Sequence, residues 1–112
     1  MKKINLAVTG CAGRMGQQIV KSLKSDKNFK LVAVTEYKKV NKKINGIKIT
    51  QNTIDVLKKS DLIIDFTVPK CTFETLKIAS KLKKRIVIGT TGFSKKEENL
   101  IKKYSKKIPI LK

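Results

Sequence analysis

Residues 4–16 read Ile-Asn-Leu-Ala-Val-Thr-Gly-Cys-Ala-Gly-Arg-Met-Gly. Ile4–Thr9 is a short, mostly apolar run of the kind that forms a strand buried on both faces of a parallel sheet. Gly10, Gly13 and Gly16 follow at a spacing of three and three, a variant of the G-x-G-x-x-G turn. Met15, Ile19, Val20 and Leu23 then recur at helical spacing. The stretch therefore reads as strand, glycine turn and helix, the helix running to about Ser25. Gly10 suits a tight turn. A side chain at Gly13 would obstruct a pyrophosphate approaching the backbone, and Gly16 lets the helix pack close to the strand. The helix N-terminus offers N–H groups and partial positive charge to phosphate, and Arg14 adds a full charge nearby. Taken alone, such a loop is equally an ordinary turn. Its place between a strand and a helix is what points to a dinucleotide.

Outward from this stretch, strands and helices alternate. Asp26-Lys27-Asn28 is a turn, and Phe29–Thr35 is a second strand ending at Glu36. Tyr37–Gly46 is polar and lysine-rich, a surface loop, and Ile47–Ile49 is a short extra strand. Thr53 is placed to cap a helix whose apolar face is Ile54, Val56 and Leu57. Asp61–Phe66 is a third strand, broken by Thr67-Val68-Pro69. From Thr72 a helix carries Phe73, Leu76, Ala79 and Leu82 on one stripe. Arg85–Gly89 is a fourth strand and Thr90–Phe93 a loop. Ser94 and Glu97 form a capping-box signature for a helix to about Lys106, and Ile108–Leu111 begins a last strand. This order predicts parallel βαβ units with right-handed crossovers in a Rossmann-like, doubly wound sheet, with residues 1–112 as one domain. Ligands of such sheets sit beyond the carboxyl ends of the strands. Gly10–Gly16, Thr67–Cys71 and Gly89–Phe93 fall there.

Glu36 stands about 20 residues beyond Gly16, where an acidic residue receives the ribose hydroxyls of NAD. Its bland alternative is a solvated loop carboxylate. Glu36 disfavours a 2′-phosphate, yet Lys38, Lys39, Lys42 and Lys43 follow in a flexible loop and would neutralise one. NADH and NADPH both stay open. The lysines serve equally well as a solvated face.

Composition narrows the function classes. The 112 residues are 40% hydrophobic, enough for one globular domain. No run approaches the roughly 18 apolar residues of a membrane span, and the N-terminus lacks the longer apolar region of a signal peptide. The expected location is the cytoplasm, with no membrane partner. Two cysteines, Cys11 and Cys71, and no histidine argue against a disulfide and a metal site. The missing histidine also removes the usual acid–base group near neutrality, so no catalytic residue is assigned. The net charge of +19 raises a nucleic-acid partner. However, Arg14 and Arg85 are the only arginines among 27 basic residues, and aromatics make up 5%. Dedicated nucleic-acid surfaces favour arginine and stacking rings. Compositional drift with non-specific polyanion adhesion is the preferred reading, without a specific nucleic-acid partner.

Three segments together carry a family resemblance: GCAGRMG at 10–16, DFTVPKCT at 65–72 and VIGTTGF at 87–93. In this order and spacing the chain resembles the N-terminal domain of the 4-hydroxy-tetrahydrodipicolinate reductases (dihydrodipicolinate reductases). The resemblance spans essentially the whole chain. It implies an NAD(P)H-dependent reductase of lysine and diaminopimelate biosynthesis that transfers hydride to a cyclic imine-type substrate. By the same resemblance Gly10, Cys11, Ala12, Gly13, Arg14 and Met15 wrap the cofactor pyrophosphate, and Glu36 binds the adenosine ribose. Tyr37 stands where many members have an arginine that favours NADPH. Phe66 and Thr67 would lie beside the cofactor. Gly89, Thr90 and Thr91 would lie near the nicotinamide, with Thr91 reaching a substrate carboxylate. The plainer role for Asp65, Phe66, Thr90 and Thr91 is strand-end capping and turn hydrogen bonding, and Phe93 serves equally as core. The family's second domain, which supplies a histidine and a lysine and usually builds a homotetramer, has no counterpart in these residues. The expectation is a binding domain, inactive and not tetrameric by itself.

Two alternatives remain from the residues. The glycine spacing also resembles extended short-chain dehydrogenases, which use a Tyr-x-x-x-Lys pair; here Asn41 and Ile108 stand four residues after Tyr37 and Tyr104. The other alternative is a non-catalytic nucleotide- or polyanion-binding module.

Overall fold

The computed structural model describes residues 3–10, 13–36, 41–44, 46–51 and 54–112. Within them lie β1 (Ile4–Thr9), α1 (Arg14–Leu23), β2 (Phe29–Thr35), β3 (Lys43–Ile44), β4 (Ile47–Thr50), α2 (Ile54–Leu57), β5 (Leu62–Asp65), α3 (Pro69–Leu82), β6 (Arg85–Ile88), α4 (Lys95–Tyr104) and β7 (Ile110–Leu111). The strands form one sheet in the order β3-β4-β2-β1-β5-β6-β7. All pairings are parallel except β3 with β4. This is the doubly wound α/β sheet expected from the alternation.

β1 is the central strand because its residues are apolar on both faces. Leu6, Ala7 and Val8 are buried, and successive side chains point to opposite sides. One face carries Ala7, Ala33, Ile63, Ile86 and Ile88 against Leu57 of α2, Leu76 and Ala79 of α3 and Ile101 of α4. The other carries Val8, Val34 and Ile49 against Val20 of α1. Helices on both faces explain why the inner strands read as continuous apolar runs rather than alternating ones. Among the described residues no helix is long and apolar enough to cross a membrane.

Several expectations are corrected. α3 begins at Pro69, not Thr72. Proline lacks an N–H, but the first helical position needs none, and its fixed φ suits the helix. The polar loop contains β3, where Lys43 pairs with Lys48 and Ile44 with Ile47 in an antiparallel hairpin. This pairing also holds Lys42 and Lys43, since the Ile49 N–H donates to the Lys42 carbonyl at 3.0 Å. Met15 and Ile54, assigned to apolar helix faces, are exposed. Met15 lies in the first turn of α1, beside the exposed Gly13 and Arg14. α1 ends at Leu23 and α4 at Tyr104, each two residues short of the expected bound, while β5 and β7 are shorter at their ends. The capping box is present: Ser94 Oγ accepts from the Glu97 N–H at 3.1 Å, and Glu97 Oε1 accepts from the Ser94 N–H at 2.8 Å. Thr53, the expected cap of α2, lies outside the described residues.

Candidate functional site

The hydrogen-bond ladder of the sheet runs one residue past the strands at their carboxyl ends. The Glu36 N–H donates to the Thr50 carbonyl at 2.9 Å and the Gly10 N–H to Thr35 at 3.0 Å. The Phe66 N–H donates to Thr9 at 3.2 Å and the Gly89 N–H to Asp65 at 2.8 Å. Parallel register thus sets Glu36, Gly10, Phe66 and Gly89 in a row along one edge of the sheet. Residues far apart in sequence become neighbours because each follows a strand of the same ladder.

The row is tightly interlocked. Gly10 has φ +79°, a left-handed value that disfavours side chains, and a Cβ there would overlap the main-chain carbonyl of Phe66. A Cβ on Gly89 would overlap the Phe66 ring. Both glycines are therefore demanded by the protein's own packing. Gly13 differs: among the described residues an added Cβ would meet the Gly10 carbonyl oxygen at 3.5 Å, an ordinary contact. Gly13 is exposed and caps α1 without a side-chain hydrogen bond. The first-turn N–H groups of a helix have no partners within it. Exposed N–H groups at the start of a helix are the kind of donors that receive a phosphate group. Arg14 is exposed beside it. Cys11, Ala12, Tyr37, Lys38 and Lys39 lie outside the described residues. Glu36 is half-buried at the end of β2.

The other two segments meet around Asp65, which is fully buried. Its Oδ1 accepts from Thr9 Oγ1 at 2.5 Å and Thr67 Oγ1 at 2.9 Å. Its Oδ2 accepts from Thr72 Oγ1 at 2.5 Å and Thr90 Oγ1 at 3.1 Å. The Thr67 N–H donates to Thr90 Oγ1 at 2.9 Å. The hydroxyls of Thr67 and Thr90 are thus both engaged with the buried Asp65 carboxyl group. Thr91, by contrast, is exposed and lines a cavity of about 510 Å³ with Gly89, Thr90, Gly92, Phe93, Glu98 and Lys112. Phe93 packs edge-on against Phe73, centroids 5.9 Å apart, and so serves as core. Cys71 is buried in the first turn of α3. Burial, then the neighbouring carboxylates of Glu74 and Asp65, push its thiol pKa up.

Sequence reasoning missed Thr9 and Thr72 as partners of Asp65, and Glu98 and Lys112 as cavity walls. Lys112 Nζ bonds Glu98 Oε1 at 2.9 Å and sits 5.2 Å from the Phe93 ring centroid. No local pattern marks Glu98 and Lys112. The only available signal for Thr9 was a hydroxyl ending β1 opposite the acid that ends β5. Among the described residues no cluster of side chains suited to a metal ion is present.

The comparisons agree with this geometry. Residues 4–112 match the family model described as dihydrodipicolinate reductase, N-terminus. The chain is 70% identical over its whole length to a 4-hydroxy-tetrahydrodipicolinate reductase of Pelagibacter ubique, of which it covers 43%. It is 42% identical over 111 residues to one from Bdellovibrio bacteriovorus, covering 44% of that protein. Among solved structures it is similar to a dipicolinate-bound dihydrodipicolinate reductase from Paenisporosarcina sp. TG-14, with a TM-score of 0.75 and 27% identity over 93% of this chain and 43% of that one. A Staphylococcus aureus homoserine dehydrogenase, 18% identical with a TM-score of 0.80, shares the fold. The chain thus spans less than half the length of the relatives it matches. It belongs to the dihydrodipicolinate reductase family, of which it comprises the N-terminal part.

Proposed function

We propose that this chain is the dinucleotide-binding domain of an NAD(P)H-dependent 4-hydroxy-tetrahydrodipicolinate reductase. The observation that carries the proposal is the row of Glu36, Gly10, Phe66 and Gly89 along the carboxyl edge of the sheet, with the exposed Gly13 at the start of α1. A dinucleotide laid along this row places its pyrophosphate at Gly10–Met15, where N–H groups and Arg14 meet its charge. Its adenosine ribose reaches Glu36, and its nicotinamide end lies by Phe66, Thr67, Gly89 and Thr90. Bound there, the reduced nicotinamide supplies the hydride, while the protein supplies binding, orientation and electrostatics. Thr91, exposed at the cavity, is available to a carboxylate of a cyclic imine-type substrate. The residues described include no histidine, and the proposal assigns no proton-transfer group to this chain.

Titration with NADH, NADPH and a DNA oligonucleotide at about 150 mM salt tests this reading, since purely electrostatic adhesion fades with salt. Saturable dinucleotide binding that survives the salt supports it. Binding of the oligonucleotide alone, lost as salt rises, rejects it.

A further inference from the structure

Asp65 is a costly residue to place where it stands. It is fully buried at the end of an inner strand, and it makes no ion pair with a described residue. Its register partner on β6 is Ile88, and an apolar residue would fill the same layer. A buried carboxyl group is tolerated only when its oxygens are satisfied. Here the donors are hydroxyls from four separate segments: Thr9 at the end of β1, Thr67 in the turn after β5, Thr72 in α3 and Thr90 after β6. The Thr90 hydroxyl is spent twice. It donates to Asp65 Oδ2 and accepts from the Thr67 N–H. The carboxyl group therefore orients the hydroxyl, and the hydroxyl holds the main chain of the neighbouring turn.

We propose that Asp65 is the positioning residue of the dinucleotide cleft, locking the turns at Thr67 and Thr90 to each other through this relay. The inference rests on the dinucleotide reading above and deepens it. Asp65 touches no ligand. It fixes how far apart the two turns present their main chains to one, and a hydroxyl-bearing residue at 90 is needed to transmit that constraint.

The test compares Asp65→Asn, Thr90→Val, Thr90→Ser and Ser60→Ala in this chain. Ser60 is a buried hydroxyl at the opposite end of β5, bonded to the Leu57 carbonyl at 2.6 Å, and controls for general loss of stability. Amide hydrogen exchange at Thr67, read without ligand, is expected to rise at least about tenfold in Asp65→Asn and Thr90→Val, with protection restored by Thr90→Ser and kept by Ser60→Ala. The NADH dissociation constant is expected to follow the same pattern, rising about tenfold in the first two variants. If Asp65→Asn does not fold, Thr90→Val carries both readings. Unchanged Thr67 exchange in the variants that remove the relay overturns the proposal. So does faster exchange with NADH affinity unmoved. Wild-type protein that binds neither NADH nor NADPH overturns this inference and the dinucleotide reading together. Wild-type and relay variants that bind equally well overturn this one alone.

Discussion

The ring of Phe66 fills the space that a Cβ on Gly89 would occupy. One residue follows β5 and the other follows β6, so a single side chain spaces the two turns. Gly89→Ala must push that ring aside, and overpacking of this kind costs about 1–3 kcal/mol. The cost should fall in a Phe66→Ala background, where the obstruction is gone. Urea unfolding of the two single variants and the double variant measures this coupling; strictly additive losses would mean that the ring moves freely.

Gly10→Ala should behave differently. The obstacle there is the main-chain carbonyl of Phe66, which no side-chain truncation removes, and φ is +79°. A left-handed alanine costs roughly 1–2 kcal/mol before any clash is counted. The expected loss is about 3 kcal/mol or more. Phe66→Ala should not relieve it, as the same unfolding experiment reads.

Gly13→Ala separates the needs of the ligand from those of the fold. The backbone there has φ −73° and ψ 168°, which alanine adopts freely. Losing a favourable cap residue is offset by a less flexible unfolded chain, so stability should stay within about 1 kcal/mol. On the proposed dinucleotide reading, NADH affinity should fall at least about tenfold, because the new methyl group would stand where the pyrophosphate approaches. Calorimetric titration beside thermal unfolding would show whether the two quantities part.

On the proposed dinucleotide reading, Glu36→Ala should weaken NADH more than NADPH, because only NADH would present both ribose hydroxyls to the carboxylate. Equal loss of affinity for the two cofactors would show that Glu36 does not read the 2′ position.

Cys71 should react slowly with alkylating reagents near neutrality, being buried and having its pKa raised by that burial first and by Glu74 and Asp65 next. The thiolate is the reactive form. A raised folded-state value also means that stability held below the unfolded pKa declines as pH climbs through the folded one. Peptide-resolved mass spectrometry of alkylation from pH 7 upward follows the rate at this residue. Rapid labelling at neutral pH would contradict the burial.

The sequence by itself determined the architecture and raised the expectation of a dinucleotide. Apolar strands buried on both faces, the glycine turn before α1 and Glu36 after β2 are local patterns, and each reports a local demand: strand burial, turn geometry, helix capping. Pro69 misled for the same reason. A proline excludes a helix interior yet opens a helix well, and sequence alone did not say which position it took. The start at Pro69 places Thr72 in the first turns of α3, and its hydroxyl reaches Asp65 there. What only the tertiary structure decided is the set of long-range pairs. Thr9 and Asp65 are 56 residues apart, and Thr67 and Thr90 are 23 apart. Parallel strands joined by helical crossovers bring distant residues to one edge, and no local pattern records which hydroxyl meets which carboxyl group. The same geometry separates Gly10 and Gly89, which the protein's own packing requires, from Gly13, where a Cβ would make an ordinary contact among the described residues.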